Sequence, residues 1–528
     1  MQASPRAWRN LLALAIFSAW LAGCDVPLSP ELGDALASGR TQRDGGPAQI
    51  RRVGEATSLL VQPKSRFGGL MVLTNPRPKS ARVALSLTKR AAGYRLASGP
   101  EQAPLPPGSD SRWRSSAEAT SVQPPPFHTP FRERLRDWER GWLRAVPAQT
   151  RQYALREVAR PRVGESETFW VISEVSGGRA LEGQVQARAV FVGEHVVVYL
   201  DQELDSVRRS AAWVQMGEDF ERDIYPTTVR LFGAPVAGGS LKGSRVSLLV
   251  SPAVGNYGQE TTIGYFTARD LFAAQAGSNT ARSNQRLMLY MSPFVVAAGR
   301  RADYMGTIAH EFQHLINASR KLFGDTPTSR GETEEVWLDE MLSMYAMAAN
   351  GYGIDSGDSS ILLAHVMAFL RDPGSYSLTD WDLNPEQSAY GAAYLFAAYA
   401  VEQLGEEFLR ELVDSPLLGA ANLNKVLEAR GTRFEAMMQD WALATALDET
   451  GFSGEARHAY RALRLIGRYG ARSLRGVRMD RASAAPSRSA WTMKPNSVRY
   501  VLVGDMATSP FELFYDANDV GDAVLVLP

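Results

Sequence analysis

Two histidines and a glutamate occur at a spacing that can bind and use a metal ion. His310, Glu311 and His314 lie in the segment Ala-His-Glu-Phe-Gln-His-Leu-Ile-Asn (309–317). Residues four apart share one face of a helix, so both imidazoles can reach the same ion, whereas the alternative is two helix histidines held by local hydrogen bonds. Glu311 is placed to take a proton from a water at the metal. Because the chain has six histidines in 528 residues, chance explains this pattern poorly and a zinc site is predicted.

A third ligand is expected from an acidic segment further along the chain. Glu340 lies in Trp-Leu-Asp-Glu-Met-Leu-Ser-Met-Tyr-Ala (337–346), where the apolar residues have helical spacing. The segment 324–331 contains glycine, proline and serine and can reverse the chain before this second helix. We therefore predict that His310, His314 and Glu340 bind one Zn²⁺ per chain. The carboxylates that compete for the third position are Glu334, Glu335 and Asp339.

These two segments resemble the gluzincin metallopeptidases, whose third zinc ligand is a glutamate on a following helix. Over a longer range, 220–460, the chain resembles the hyicolysin family. The matching features include Leu-Phe-Gly (231–233), Gly-Tyr-Phe (264–266) and Tyr-Gly-Ala-Ala-Tyr-Leu-Phe (390–396). The resemblance implies an α+β fold with a thermolysin-like core, in which a mixed sheet with an edge strand above the metal precedes a helical half.

The resemblance also implies a side chain that stabilises negative charge on the substrate carbonyl oxygen. In gluzincins this donor is usually a tyrosine or histidine on a helix after the third ligand. Tyr390, followed by Gly391, resembles that tyrosine, although core packing is its alternative role. Tyr394 and Tyr399 share the helix, and His458 is a further candidate.

Two positions depart from the pattern of these families. The residue after the third ligand is usually glycine and is Met341 here, and Met344 replaces an acid that braces a zinc-binding histidine. Another group must hold that imidazole, and Asp303 and Asp339 are the candidates. The departures leave an alternative function, in which a catalytically impaired zinc-binding surface lipoprotein serves adhesion or assembly.

The first residues of the chain have the pattern of an export signal. Arg6 and Arg9 precede a short apolar run (11–22), which is typical of a signal peptide. The run leads to Leu-Ala-Gly-Cys, which resembles the lipobox of bacterial lipoproteins and predicts lipidation of Cys24. A lipid anchor at Cys24 would attach the protein to a membrane of the bacterial cell envelope, with the choice of inner or outer membrane left open.

Charge and cysteine content limit the remaining functions. The chain has 57 basic and 57 acidic residues, and this balance argues against a nucleic-acid partner. Cys24 is the single cysteine, so disulfides cannot stabilise the exported protein. After the leader, the apolar runs are too short for a membrane span.

Strand and helix patterns divide the chain into an α+β domain flanked by β modules. Short strand-like runs precede a long helical region, 302–465, and strand patterns return after residue 470. The predicted organisation is a signal peptide (1–23), a tether (24–54), a small β module (55–96), a Pro/Ser-rich linker (97–130), a zinc metallopeptidase domain (131–469) and a β appendage (470–528).

The function expected from these features is zinc-dependent endopeptidase action on protein or peptide substrates. An extended substrate is expected to pair with a sheet edge near 262–266. The aminopeptidase branch of the clan carries a Gly-x-Met-Glu-Asn segment, which this sequence lacks, and its absence favours cleavage within the chain of the substrate.

Overall fold

The structure is a computed structural model. The residues that it describes are 49–53, 57–61, 69–89, 130–145, 155, 160–207, 211–236, 245–254, 262–273, 282–293, 301–328, 331–356, 360–383, 389–448, 453–483, 487–505, 511–518 and 522–527. The predicted leader with Cys24 and nearly all of the predicted linker lie outside these ranges. Within them, no helix combines the length and apolar character needed to cross a membrane.

Strands occur at both ends of the chain and in its first half. In chain order they are β1 (Gln49–Val53), β2 (Thr57–Val61), β3 (Gly69–Asn75), β4 (Ala81–Lys89), β5 (Ser166–Ser176), β6 (Arg179–Val192), β7 (Val196–Asp201), β8 (Val246–Val250), β9 (Gly264–Tyr265), β10 (Met288–Met291), β11 (Ile466–Tyr469), β12 (Arg472–Arg475), β13 (Asp480–Ser483), β14 (Ser487–Met493), β15 (Ser497–Asp505), β16 (Phe511–Asn518) and β17 (Asp522–Leu527).

Most of the helices lie between strands β10 and β11. In chain order they are α1 (Pro130–Ala145), α2 (Ala211–Asp219), α3 (Tyr225–Phe232), α4 (Arg301–Phe323), α5 (Val336–Ala349), α6 (Ile361–Arg371), α7 (Ala389–Leu404), α8 (Glu407–Asp414), α9 (Gly419–Glu428) and α10 (Phe434–Leu447). A π-helical turn (Phe220–Ile224) separates α2 from α3.

The strands from the two ends of the chain form one β-sandwich. One sheet has the order β1-β17-β3-β15-β13 and the other β14-β4-β16-β2. Strand β3 lies between β15 and β17, so that Val72 faces Tyr500 on one side and Val524 on the other. Leu73 and Leu85, from the two different sheets, are both buried in the core between them.

This sandwich corrects the expectation of separate modules at 55–96 and 470–528. The N-terminal strands pair with C-terminal strands because β3 and β4 would otherwise expose unpaired backbone groups and one apolar face. The boundary expected at residue 470 also falls inside the β11–β12 hairpin, whose buried Leu474 belongs to the main core.

A six-stranded mixed sheet has the order β5-β6-β7-β8-β10-β9, and its last strand in the chain, β10, ends before helix α4 begins. Strand β8 is parallel to both β7 and β10, and all five of its residues are buried. Continuous apolar runs are typical of strands that are covered on both faces. The short strand β9 pairs antiparallel with β10 and forms one edge of the sheet.

One continuous core joins this sheet, the helices and the near face of the sandwich. It contains Leu248 of the sheet, Phe312 and Leu342 of the helices, and Val72 of the sandwich. The sheet followed by helices agrees with the predicted α+β class, and the core fixes the helices that carry the predicted metal ligands.

Candidate metal centre

Helix α4 presents the first two predicted ligands and the predicted base from a buried position. Ile308, Phe312 and Leu315 are fully buried and hold the helix in the main core. His310 and His314 project from one face because they lie one helical turn apart, and their Nε2 atoms are 2.9 Å from each other.

Helix α5 runs antiparallel to α4 and brings Glu340 to the two histidines. The amide of Asn317 donates to Asp339 Oδ1 at 2.6 Å, and Ser343 lies 3.0 Å from His314 Nδ1. The later residue of α4 thus contacts the earlier residue of α5, as expected for antiparallel helices. In the last turn of α4, buried Lys321 donates to the carbonyl oxygens of Leu412 and Ser415. These bonds tie the end of α4 to a later part of the chain and fix the reversal.

The three side chains have the geometry of a metal site. Glu340 Oε2 lies 3.1 Å from His310 Nε2, and Glu340 Oε1 lies 3.5 Å from His314 Nε2. In a tetrahedral zinc site with ligand bonds of about 2.0–2.1 Å, two donors are about 3.3–3.4 Å apart. The observed separations therefore suit a single ion, and the three residues form a possible metal site.

The surroundings of the donors also suit a cation. Glu340 is fully buried; within the described residues Arg136 forms an ion pair with it, although neither carboxylate oxygen receives a well-aligned hydrogen bond. Burying such a charge is costly unless a positive partner compensates it. Burial and, second, the charge of His314 hold the pKa of His310 well below its usual value, which favours the neutral imidazole that binds metal.

Asp339 and Ser343 hold the second imidazole in place. Asp339 Oδ2 lies 2.8 Å from His314 Nδ1, which leaves the Nε2 atom for the metal. Burial of Asp339 opposes its ionisation, but the charge of His314 and hydrogen bonds from His314 and Asn317 lower its pKa overall. Asp303 instead accepts a bond from the backbone N–H of Ile361, so the structure places Asp339, of the two sequence candidates, at the ligand.

The two methionines that depart from the family pattern lie in the core rather than in the site. Met341 and Met344 are both fully buried among apolar residues. His314 nevertheless has a carboxylate partner, because Asp339 contacts the imidazole from the position before Glu340.

Tyr390, the candidate charge-stabilising donor, is connected to Glu340 of the possible metal site through Arg136. Its ring packs against His365 and Trp381, with ring centroids 4.9 Å apart in both pairs. Its hydroxyl accepts a bond of 3.4 Å from Arg136, which also forms an ion pair with Glu340. Tyr399, on the same helix, instead donates to the carbonyl of Arg457.

Other competing residues lie in different surroundings. His458 is buried, with its Nδ1 atom 2.8 Å from the hydroxyl of Ser453 and its Nε2 atom 3.7 Å from Asp440. Among the carboxylates, Glu334 pairs with Lys321 and Glu335 accepts from the indole of Trp337.

Helix α1 contributes two arginines to the site that the motif analysis did not identify. Arg132 Nη2 lies 2.8 Å from Glu311 Oε1 and 3.2 Å from His310 Nε2, and Arg136 pairs with Glu340. The signal in the sequence was a pair of arginines four residues apart, which share one face of a helix. The spacing of the two arginines can be recognised in the sequence, but only the fold shows which residues they contact.

The mixed α+β fold and the buried His-His-Glu cluster define a protein with a possible metal centre. No protein-family profile matches the chain. The chain is similar to the neutral metalloprotease ShpI of Staphylococcus hyicus, with 26% identity over 230 residues. The match covers 40% of this chain and 47% of the relative, so it spans less than half of either protein. The distant relative and the cluster together support a metallopeptidase.

Proposed function

We propose that this protein is a zinc-dependent endopeptidase that hydrolyses protein or peptide substrates, with Glu311 as the general base. The observation that carries the proposal is the buried triangle of His310, His314 and Glu340, whose donor atoms lie 2.9–3.5 Å apart, with Glu311 beside it. Two imidazoles and one carboxylate are the ligand set of a catalytic zinc site, in which a fourth position is left for water or substrate.

Three residues of the chain have separate roles in the proposed reaction. Zinc, when bound, supplies the Lewis acid that polarises the scissile carbonyl. Glu311 takes the proton from the attacking water and can pass it to the leaving amine. Asp339 keeps the Nε2 atom of His314 directed at the ion. The hydroxyl of Tyr390 donates a hydrogen bond to the developing oxyanion, an interaction typically worth about 2.7–4 kcal/mol.

The edge of the mixed sheet supports binding of an extended substrate. Tyr265 at the end of edge strand β9 and Phe266 line the same cleft as Glu311 and His314. A peptide that adds to such an edge uses its own backbone groups for hydrogen bonds, so its side chains are left to fill the cleft. This arrangement favours cleavage inside a peptide chain.

We further propose that the enzyme works at the bacterial cell envelope, attached by a lipid at Cys24. The support is the leader pattern, in which a short apolar run is followed by Leu-Ala-Gly-Cys. Several acyl chains anchor durably, since each buried methylene contributes about 0.8 kcal/mol.

Digestion of casein and a peptide library by the purified protein (25–528) tests the proposed function. We expect internal cleavage, detected by mass spectrometry, that a zinc chelator abolishes and added zinc restores. Glu311→Gln is the matched variant, and it should keep zinc but lose hydrolysis because Glu311 is not a ligand. Full activity in Glu311→Gln would contradict the mechanism. Zinc binding without hydrolysis by the unaltered protein under every condition would favour the catalytically impaired surface lipoprotein.

A further inference from the structure

Helix α1 presents a row of arginines to the cleft beside the possible metal site. Arg132, Arg136 and Arg140 follow one another at every fourth residue, so they share one face of the helix, and all of them line the cleft together with Glu311. Because a helix rises about 1.5 Å per residue, this face extends about 12 Å along the cleft. An extended peptide spans the same length with about three or four residues.

Contacts with the mixed sheet fix the orientation of this helix. Phe131 and Leu135 are buried in the apolar cluster on one face of the sheet. The ring of Phe131 packs edge-on against Tyr265 of edge strand β9, with ring centroids 5.5 Å apart. Near the other end of the helix, Trp142 packs edge-on against Phe272, with centroids 5.2 Å apart. Since α1 is held near both of its ends, its arginine face has a defined place in the cleft.

Arg140 carries a guanidinium that a ligand can reach. Its side chain is 42% exposed, and its ion-pair partner, Asp137, lies 2.5 Å away and is 69% exposed. An ion pair so open to water contributes little to stability, so another carboxylate can replace Asp137 at small cost. A guanidinium can bind a carboxylate through two parallel hydrogen bonds, a geometry that favours an acidic ligand.

Acidic residues that line the same cleft have other partners in the protein. Glu139 accepts a bond of 2.6 Å from the hydroxyl of Thr267, and buried Glu334 forms an ion pair of 3.2 Å with Lys321. Within the described residues, the ion-pair partner of Arg140 is the exposed Asp137 rather than either of these acids. An acidic side chain that enters the cleft therefore meets a guanidinium that it can bind.

We propose that Arg140 is a specificity-determining residue, which binds an aspartate or glutamate side chain of the substrate about two to four residues from the scissile bond. This inference rests on the proposed function. The proposed base Glu311 marks the position of the scissile bond, and Arg140 lies about two helical turns beyond Arg132, which is next to Glu311. A substrate with a neutral side chain at that position gains no ionic contact with Arg140.

Cleavage of matched peptides by the whole exported protein tests this inference. The peptides are built around a bond that the protein cleaves in casein and carry Glu, Gln or Lys at one scanned position. We expect kcat/KM to be about two- to fivefold higher for Glu than for Gln at the responding position, as for a partly exposed ion pair. A rise from about 0.05 M to about 0.5 M salt should weaken this preference, since the charges are then screened.

Variants of Arg140 assign the preference to its charge. Arg140→Gln should abolish the preference for Glu, and Arg140→Glu should transfer it to Lys. The matched control is Arg144→Gln, which removes one charge from the same helix at a side chain that is 72% exposed and is not among those that line the cleft. This control should keep the full preference, and circular dichroism confirms that each variant is folded.

Peptide binding provides a measurement that does not depend on hydrolysis. Fluorescence anisotropy is measured with labelled peptides whose alternate residues are all Glu or all Gln, on Glu311→Gln alone and combined with Arg140→Gln. We expect the Glu peptide to bind more tightly to the first protein by at least about twofold, and both peptides to bind equally to the second.

The two measurements separate the role of Arg140 from the proposed activity. A preference for Glu that survives in folded Arg140→Gln, or equal binding and cleavage of Glu and Gln peptides by the protein with Arg140 intact, would overturn the proposed specificity. Tighter binding of the Glu peptide that requires Arg140, without hydrolysis by the unaltered protein, would support the role of Arg140 while refuting the proposed peptidase activity.

Discussion

Asp339 offers a quantitative test of how the metal centre is organised. Its Oδ2 atom lies 2.8 Å from Nδ1 of His314, and its Oδ1 atom accepts a bond of 2.6 Å from Asn317. The carboxylate therefore fixes both the ring orientation and the tautomer of the ligand. We predict that removal of this carboxylate weakens zinc binding while the fold is retained, because the helices around it are held by a large apolar core.

The expected size of the effect follows from the contacts of His314 Nδ1. A hydrogen bond to a charged group contributes about 1.5–3 kcal/mol, and loss of such an outer partner weakens metal binding about 10–100-fold. Ser343 lies 3.0 Å from the same nitrogen and can compensate in part. Asp339→Asn, which keeps the shape but removes the charge, should therefore weaken binding about tenfold, and Asp339→Ala should approach about a hundredfold.

The assay is competition for Zn²⁺ with a chelating dye, together with circular dichroism to confirm folding. Glu335→Gln is the matched control, because this nearby carboxylate bonds to the indole of Trp337 and should not affect zinc. An unchanged zinc Kd in Asp339→Ala would refute the assignment of Asp339 to the imidazole. A loss of zinc in Glu335→Gln equal to that in Asp339→Ala would show that the effect is not specific to the contact.

Four further predictions concern the candidate metal site, the attachment to a membrane and the β-sandwich. Glu340→Ala should lose zinc on dialysis, because two histidines leave the site a ligand short; retained zinc would point to another carboxylate. Tyr390→Phe should lower kcat about 10²–10³-fold with normal zinc content, and an unchanged kcat would assign Tyr390 to packing. Cys24→Ser should release the protein from membranes or leave the precursor uncut; a mature-size protein still in the membrane fraction would refute lipidation. Leu73→Ala should lower the unfolding free energy by about 2–5 kcal/mol in urea titration, and a smaller loss would argue against a tightly packed sandwich.

Local spacing in the sequence was enough to single out the side chains that form the possible metal site. His310 and His314 share a helix face wherever that helix lies, because side-chain direction repeats every 3.6 residues. Glu340 was predictable to the extent that the pattern of a second helix and a reversing loop could be recognised. The remaining ambiguity among neighbouring carboxylates was resolved by packing, since Glu334 pairs with Lys321 and Glu335 with the indole of Trp337.

The sequence also indicated the order of sheet and helices, but not the pairing of the two chain ends. Short apolar runs in β3 and β15 predict strands, yet such runs carry no information about which strands are neighbours. Val72 and Tyr500 face each other across more than four hundred residues. Contacts of that separation depend on which exposed edges remain after the rest of the domain has folded.

The sequence and the tertiary structure each determined part of the candidate metal centre. By itself the sequence determined which side chains could bind an ion, because helical geometry fixes neighbours within a turn or two. The tertiary structure decided that Asp339 rather than Asp303 contacts His314, and that Arg132 reaches Glu311. These contacts join residues on separate helices, and their partners are selected by the packing of the whole core, which no local pattern encodes.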